Sequence, residues 1–90
     1  MQATGTATLR YWAAAREAAG MPEEQTRAAT LDAALSTAVA ERGADGDRLA
    51  TVLRRCSFLV NGTQVGKRDF ATVRLAPGAV VEVLPPFAGG

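Results

Sequence analysis

The chain of 90 residues contains no histidine. No side chain therefore has an unperturbed pKa near neutrality. Ser-His-Asp catalysis, Cys-His catalysis and histidine-based zinc sites are excluded within the chain. Cysteine occurs once, at Cys56, so there is no internal disulfide and no CxxC motif. Beside the apolar run Ser57-Phe58-Leu59-Val60, Cys56 reads as a buried structural thiol. Lysine also occurs once, at Lys67, and the nine arginines are scattered, with Arg54-Arg55 as the one adjacent pair. At a net charge of +1 the chain has no general field to draw in nucleic acid or an anionic membrane. Arg10, Arg16 and Glu17 interrupt the N-terminal apolar residues, so a signal-peptide core is missing. No apolar run is long enough to span a bilayer. The expectation is a soluble, cytoplasmic protein with one domain over residues 1–90 and one modest core, consistent with its 48% hydrophobic residues.

What is present follows two periodicities. Thr6 to Trp12 alternate as a strand, with Ala7, Leu9 and Tyr11 on one face and Thr8, Arg10 and Trp12 on the other. Ala13 to Ala19 allow a helical turn or two, stopped by Gly20 and Pro22. Glu23 to Ala29 are weakly patterned and read as a short edge strand. Leu31, Ala34, Leu35, Ala38 and Val39 form one helical stripe, with Thr30 as the N-terminal cap and Gly43 as the stop. Asp45-Gly46 reads as a turn. Asp47 caps a shorter helix that faces Leu49, Val52 and Leu53 inward and ends at Arg54 and Arg55. Cys56 to Val60 form a strand, Asn61-Gly62 a tight hairpin, and Thr63 to Val65 the returning strand. Ala76-Pro77-Gly78 turn the chain into a last strand, where Val81 and Val83 share one face and Val80, Glu82 and Leu84 the other.

One amphipathic helix cannot bury its stripe alone. The economical solution is a single sheet packed on one face, with the first and last strands parallel at its centre. This is an α+β roll whose mixed sheet of about five strands packs on one main helix, with a second short helix. Arg10, Trp12, Glu82 and Leu84 then share the open face.

After Leu84, Pro85 and Pro86 fix φ and remove two amide donors, so the strand must end. Residues 85–90 become an extended arm, Pro85-Pro86-Phe87-Ala88-Gly89-Gly90, with no charged side chain. Phe87 to Gly90 reach about 13 Å when extended. An arm without side chains at its last two positions can thread a narrow channel and present the Gly90 carboxylate to another protein's active site.

Three stretches carry a resemblance to the β-grasp, ubiquitin-like sulfur carriers of the MoaD/ThiS type. They are Leu9-Arg10-Tyr11-Trp12-Ala13-Ala14-Ala15-Arg16-Glu17, Leu59-Val60-Asn61-Gly62, and the Pro-Gly turn, strand and Pro-Pro-x-x-Gly-Gly end over residues 76–90. Within that family the sequence looks most like the small subunit of molybdopterin synthase. The resemblance implies a subunit of a sulfurtransferase, with no catalytic activity by itself and no bound cofactor. In such proteins an adenylating enzyme resembling ubiquitin-activating enzyme uses ATP-Mg to activate the terminal carboxylate, here Gly90. A sulfur donor protein then replaces AMP, leaving a thiocarboxylate. The large synthase subunit takes that sulfur onto cyclic pyranopterin monophosphate, on the way to molybdenum cofactor. The implied assembly is a heterotetramer of two small and two large subunits.

The resemblance also implies a partner surface. Trp12 and Leu84 match apolar contact positions and Arg16 matches the family's turn arginine; such anchors are frequent hot spots. Gln64, just after the hairpin, sits where some relatives in the family place an apolar contact residue. Either the partner surface is more polar, or Leu59 and Val65 carry that role. Trp12 has a second reading as simple core packing. Lys67 and Arg68 are open candidates for contact with the activating enzyme. Two other functions share the Gly-Gly chemistry: a carrier for thiamine thiazole or cysteine synthesis, and a ubiquitin-like modifier of lysines.

Overall fold

The computed structural model describes residues 5–86. The strands are β1 (Ala7–Tyr11), β2 (Glu23–Thr26), β3 (Ser57–Val60), β4 (Thr63–Gln64) and β5 (Val80–Leu84). They form one sheet in the order β2-β1-β5-β3-β4. β1 and β5 run parallel, Leu9 beside Val81 and Tyr11 beside Val83, and the other neighbours are antiparallel. This is the expected α+β, β-grasp roll. The alternation in the sequence sets which face is covered: Ala7, Leu9, Tyr11, Phe58, Val81 and Val83 are buried under the helices.

Among the described residues there are three α-helices rather than the expected main helix and one short one: α1 (Ala13–Ala19), α2 (Leu31–Glu41) and α3 (Gly46–Leu53). The Ala-rich stretch has enough helix propensity to make a seven-residue helix once Ala15, Ala18 and Ala19 are buried. Gly20 ends it in the left-handed region at φ 80°, where glycine avoids the Cβ clash. α2 places Leu31, Ala34, Leu35 and Ala38 in the core. The Thr30 hydroxyl caps it, accepting from the Ala33 amide at 3.2 Å. At the hairpin, Asn61 and Gly62 take φ of 50° and 84°, the left-handed pair that suits the twist of the flanking strands. Asn61 Oδ1 also accepts from the Val80 amide at 2.9 Å, tying the turn to β5.

Two local expectations change. Asp47 is not a cap: α3 already begins at Gly46, and Asp47 lies in its first turn. β3 starts at Ser57, leaving Cys56 half-buried before it with its thiol donating to the Val52 carbonyl at 3.3 Å. Gly46 is needed for close approach, since its φ of −64° is ordinary helix. A Cβ there would stand 2.2 Å from the Val39 carbonyl oxygen. Gly46→Ala gains helix propensity of about 1 kcal/mol but forces α3 off α2, an overpacking cost of about 3 kcal/mol. The expected net is a fall in melting temperature of about 10 °C, read by thermal denaturation.

No helix among the described residues is long and apolar enough to cross a membrane.

Candidate functional site

The face of the sheet away from the helices is built by register. Glu82 on β5 lies between Arg10 on β1 and Leu59 on β3. Gln64 pairs with Leu59 on one side and Glu23 with Arg10 on the other. One row across the sheet therefore reads Gln64, Leu59, Glu82, Arg10, Glu23. The neighbouring row pairs Ser57 with Leu84, and Trp12 follows β1 at the same end of the sheet.

Trp12 is 44% exposed. Its amide donates to the Val83 carbonyl at 3.2 Å and its indole Nε1 to Glu82 Oε1 at 3.1 Å. Both bonds hold the ring against β5, so the core-packing reading of Trp12 does not hold. The chain turns sharply just after it: Ala13 has φ 48°, a left-handed conformation unusual for a residue with a Cβ. Leu84 is half-buried on the same face, Pro85 is half-buried and Pro86 is exposed. Arg16 is exposed on α1, next to this end of the sheet. Phe87, Ala88, Gly89 and Gly90 lie outside the described residues.

Val65 is the correction. It is 2% exposed, and its amide donates to the Phe58 carbonyl at 3.0 Å. It follows β4 into the core and offers no side-chain surface to a partner. Leu59 is half-buried on the open face, with exposed Gln64 beside it. Of the three hairpin positions, Gln64 and Leu59 reach the open face and Val65 does not. Arg68 folds back onto the same loop: Nε donates to the Val65 carbonyl at 3.1 Å and Nη2 to the Gln64 carbonyl at 3.3 Å. Lys67 is exposed.

Beneath the sheet lies a polar network that sequence reasoning missed. The Tyr11 hydroxyl donates to Glu24 Oε2. Arg42 Nη2 stands 2.8 Å from that same carboxylate oxygen, an ion pair whose angle falls short of a hydrogen bond. Arg42 also donates from Nε to the Ala19 carbonyl at 3.0 Å and from Nη1 to the Ala38 carbonyl at 2.7 Å. Its guanidinium lies 5.9 Å from the centre of the Tyr11 ring, within cation–π range. One side chain thus ties β1, β2, α1 and α2 together behind Trp12. The available signal was Glu24, whose place in β2 points an acid toward the helices.

Burial pushes the Tyr11 phenol well above its ordinary value, and the Glu24 hydrogen bond and charge add to this. Burial pushes the Cys56 thiol up to about 11. For both groups the unfolded chain ionises first, so it binds fewer protons than the folded chain at high pH. Stability should stay flat through neutrality and decline once pH passes the ordinary thiol and phenol values of about 8.5 and 10. Urea midpoints against pH should show this. Cys56→Ala should remove the component that starts at about pH 8.5 and is complete at about pH 11, and Tyr11→Phe the component that starts at about pH 10.

The comparisons with known proteins bear on this arrangement. No curated protein matches the chain. Among solved structures, the Haloferax volcanii HVO 2177 protein is 31% identical, over 96% of this chain and 87% of that one, with a TM-score of 0.71. Small archaeal modifier protein 1 from Methanosarcina acetivorans is 19% identical over 99% and 100% of the two chains, with a TM-score of 0.77. A complex of subunits 1 and 2 of molybdopterin-converting factor from Helicobacter pylori contains a chain 20% identical over 94% and 99%, with a TM-score of 0.66. The model of the ThiS family matches residues 9–90, from the middle of β1 through the Gly-Gly end. With the roll, the open face and that end all inside the matched region, the chain belongs to the ThiS family and has the ubiquitin-like fold of its sulfur carriers.

Proposed function

We propose that this chain is the sulfur-carrying small subunit of a molybdopterin synthase. The observation that carries the reading is the place where the arm begins. β5 ends at Leu84 on the open face, beside exposed Trp12, and Pro85-Pro86 follow at once. An arm rooted there starts next to the surface that a partner would cover, so docking and delivery are one event. The described residues bring no nucleophile and general base together, so the chemistry is assigned to partners. The Helicobacter pylori complex of subunits 1 and 2 motivates the choice of a large synthase subunit as one partner.

The reaction runs in two stages. A carboxylate oxygen of Gly90 attacks the α-phosphorus of ATP, bound with Mg by the adenylating enzyme, and pyrophosphate leaves. A carboxylate is a poor electrophile, and the adenylate gives it a leaving group. The terminal sulfur of a donor protein's persulfide attacks the acyl carbon and AMP departs. A second thiol then cleaves the resulting acyl disulfide, forming a disulfide with the donor cysteine and leaving the thiocarboxylate on Gly90. The large subunit then directs that sulfur to the pterin precursor, and water returns Gly90 to the carboxylate. Two small and two large subunits make the proposed heterotetramer.

The test is an intact mass of the protein from its own host, and again after incubation with an adenylating enzyme, ATP and a sulfur donor. Exchange of one oxygen for sulfur, confined to the C-terminal peptide, supports the reading; transfer to the pterin precursor in the presence of the large subunit completes it. Free acid under every condition overturns sulfur carriage. Adducts to target lysines instead would assign the ubiquitin-like modifier role, and delivery to thiazole or cysteine synthesis would assign the related carriers.

A further inference from the structure

The two edges of the sheet are not alike. The β4 edge is two residues long, and Arg68 covers its end by bonding the Gln64 and Val65 carbonyls. Short length and a covering side chain are the usual ways of blunting an edge. The β2 edge has neither. Its register with β1 runs unbroken from Glu23 to Thr26, with no bulge and no proline.

The direction of the free groups follows from the hydrogen bonds. The Tyr11 amide donates to the Pro22 carbonyl at 2.8 Å, while the amides of Thr8 and Trp12 turn the other way, to β5 and the residue before it. Alternation then points the backbones of Pro22, Glu24 and Thr26 at β1 and those of Glu23 and Gln25 outward; exposed Arg27 follows β2 directly. Among the described residues nothing takes these outward amides and carbonyls. The Gln25 side chain is held back over its own sheet, accepting from Thr6 Oγ1 at 2.9 Å and donating to Thr8 Oγ1 at 2.8 Å.

We propose that this edge pairs antiparallel with the same edge of a second copy of the chain, with the twofold axis at Gln25. The sequence around that axis is self-complementary. Gln25 meets Gln25, and Glu23 of each copy meets Arg27 of the other, so the two outer pairs join opposite charges. Opposite charges across strands stabilise a pair, and like charges destabilise it. Glu23 already stands 3.6 Å from Arg10, so the second arginine lengthens an existing ion pair into a row. On the helical side the seam is bordered by a groove of about 450 Å³, lined by Thr26, Ala28, Ala33, Ala34 and Thr37 among others. Glu24, Arg27 and Glu41 border the same groove, so the helical side of the seam is polar as well as small. A foreign peptide would use the same free backbone groups, but the 23–27 charge symmetry matches this chain itself. In the pair β5 of one copy runs opposite to β5 of the other, so the two Leu84 ends point apart and both partner surfaces stay accessible.

The interface is small, so the dimer is weak and forms at high concentration. Sedimentation velocity from micromolar to millimolar protein should show reversible dimerisation. NMR shifts should move with concentration at the amides of Glu23, Gln25 and Arg27. Arg27→Glu or Glu23→Arg sets like charges opposite one another and should weaken dimerisation about tenfold. The double exchange, Glu23→Arg with Arg27→Glu, should restore it. Gln25→Pro removes an outward amide without touching the β1 ladder and should abolish it, with circular dichroism confirming the fold. A chain that is monomeric at millimolar concentration overturns the proposal. A dimer indifferent to both single charge changes, or shifts confined to the Trp12 face, also overturns it. So does saturable binding of an extended peptide at this edge with no self-association.

Discussion

Removing Gly89 and Gly90 is expected to abolish activation by an adenylating enzyme and leave the domain folded. The buried core is built from residues between Ala7 and Val83, and the truncation touches none of it. Unfolding midpoints should stay within experimental error of the parent. The new carboxylate, on Ala88, falls about 7 Å short of where the parent's would reach. It also puts a methyl side chain at the terminal position, where the parent has none. Misplacing a reacting atom by even 1 Å costs about a hundredfold in rate, so ATP–pyrophosphate exchange should drop below detection. Exchange that survives the truncation would show that the carboxylate is not the reacting group. Loss of the fold along with it would show that the arm is part of the core, a different role altogether.

Arg42→Ala should be the most destabilising single substitution outside the apolar core. The side chains of Arg42 and Glu24 are 11% and 17% exposed. Truncating the arginine leaves the Glu24 carboxylate largely desolvated without its cation. It also frees the Ala19 and Ala38 carbonyls, the first at the end of α1. Breaking a buried pair in this way costs about 3–5 kcal/mol. A domain of this size holds about 5–13 kcal/mol in total, so urea unfolding should shift by a large part of its midpoint. Arg42→Met with Glu24→Gln should recover much of the loss, because no unpaired charge is then buried. A cost below about 1 kcal/mol for Arg42→Ala would place the pair in the class of solvated surface bridges.

The parts legible in the sequence were those with a local rule. Alternation in residues 6–12 and 80–84 gave both the parallel central strands and their faces. The stripe from Leu31 to Ala38 gave α2, and Asn61-Gly62 gave the hairpin. The Trp12 face was assigned by the same alternation, and its exposure follows the assignment. What stayed hidden depends on contacts between distant segments. Gly46 read as a turn because its real constraint is the Val39 carbonyl on another helix. Val65 read as surface because two-residue β4 ends before it and the chain dives inward. The Tyr11–Glu24–Arg42 network joins residues from three elements, and no spacing in the chain announces it.

The parallel pairing of β1 with β5 has a kinetic consequence. Thr8 lies beside Val80, so the sheet's centre forms when two segments from nearly opposite parts of the chain meet. The entropy of closing that loop must be met before the pairing returns any stability, which slows folding relative to helical domains. The same closure protects the finished strand. β5 is bonded on both sides, to β1 and β3, and cannot fray alone as an edge strand can. Its amides should therefore exchange with solvent only through global unfolding. Leu84, where β5 ends, therefore stays fixed for the lifetime of the folded domain.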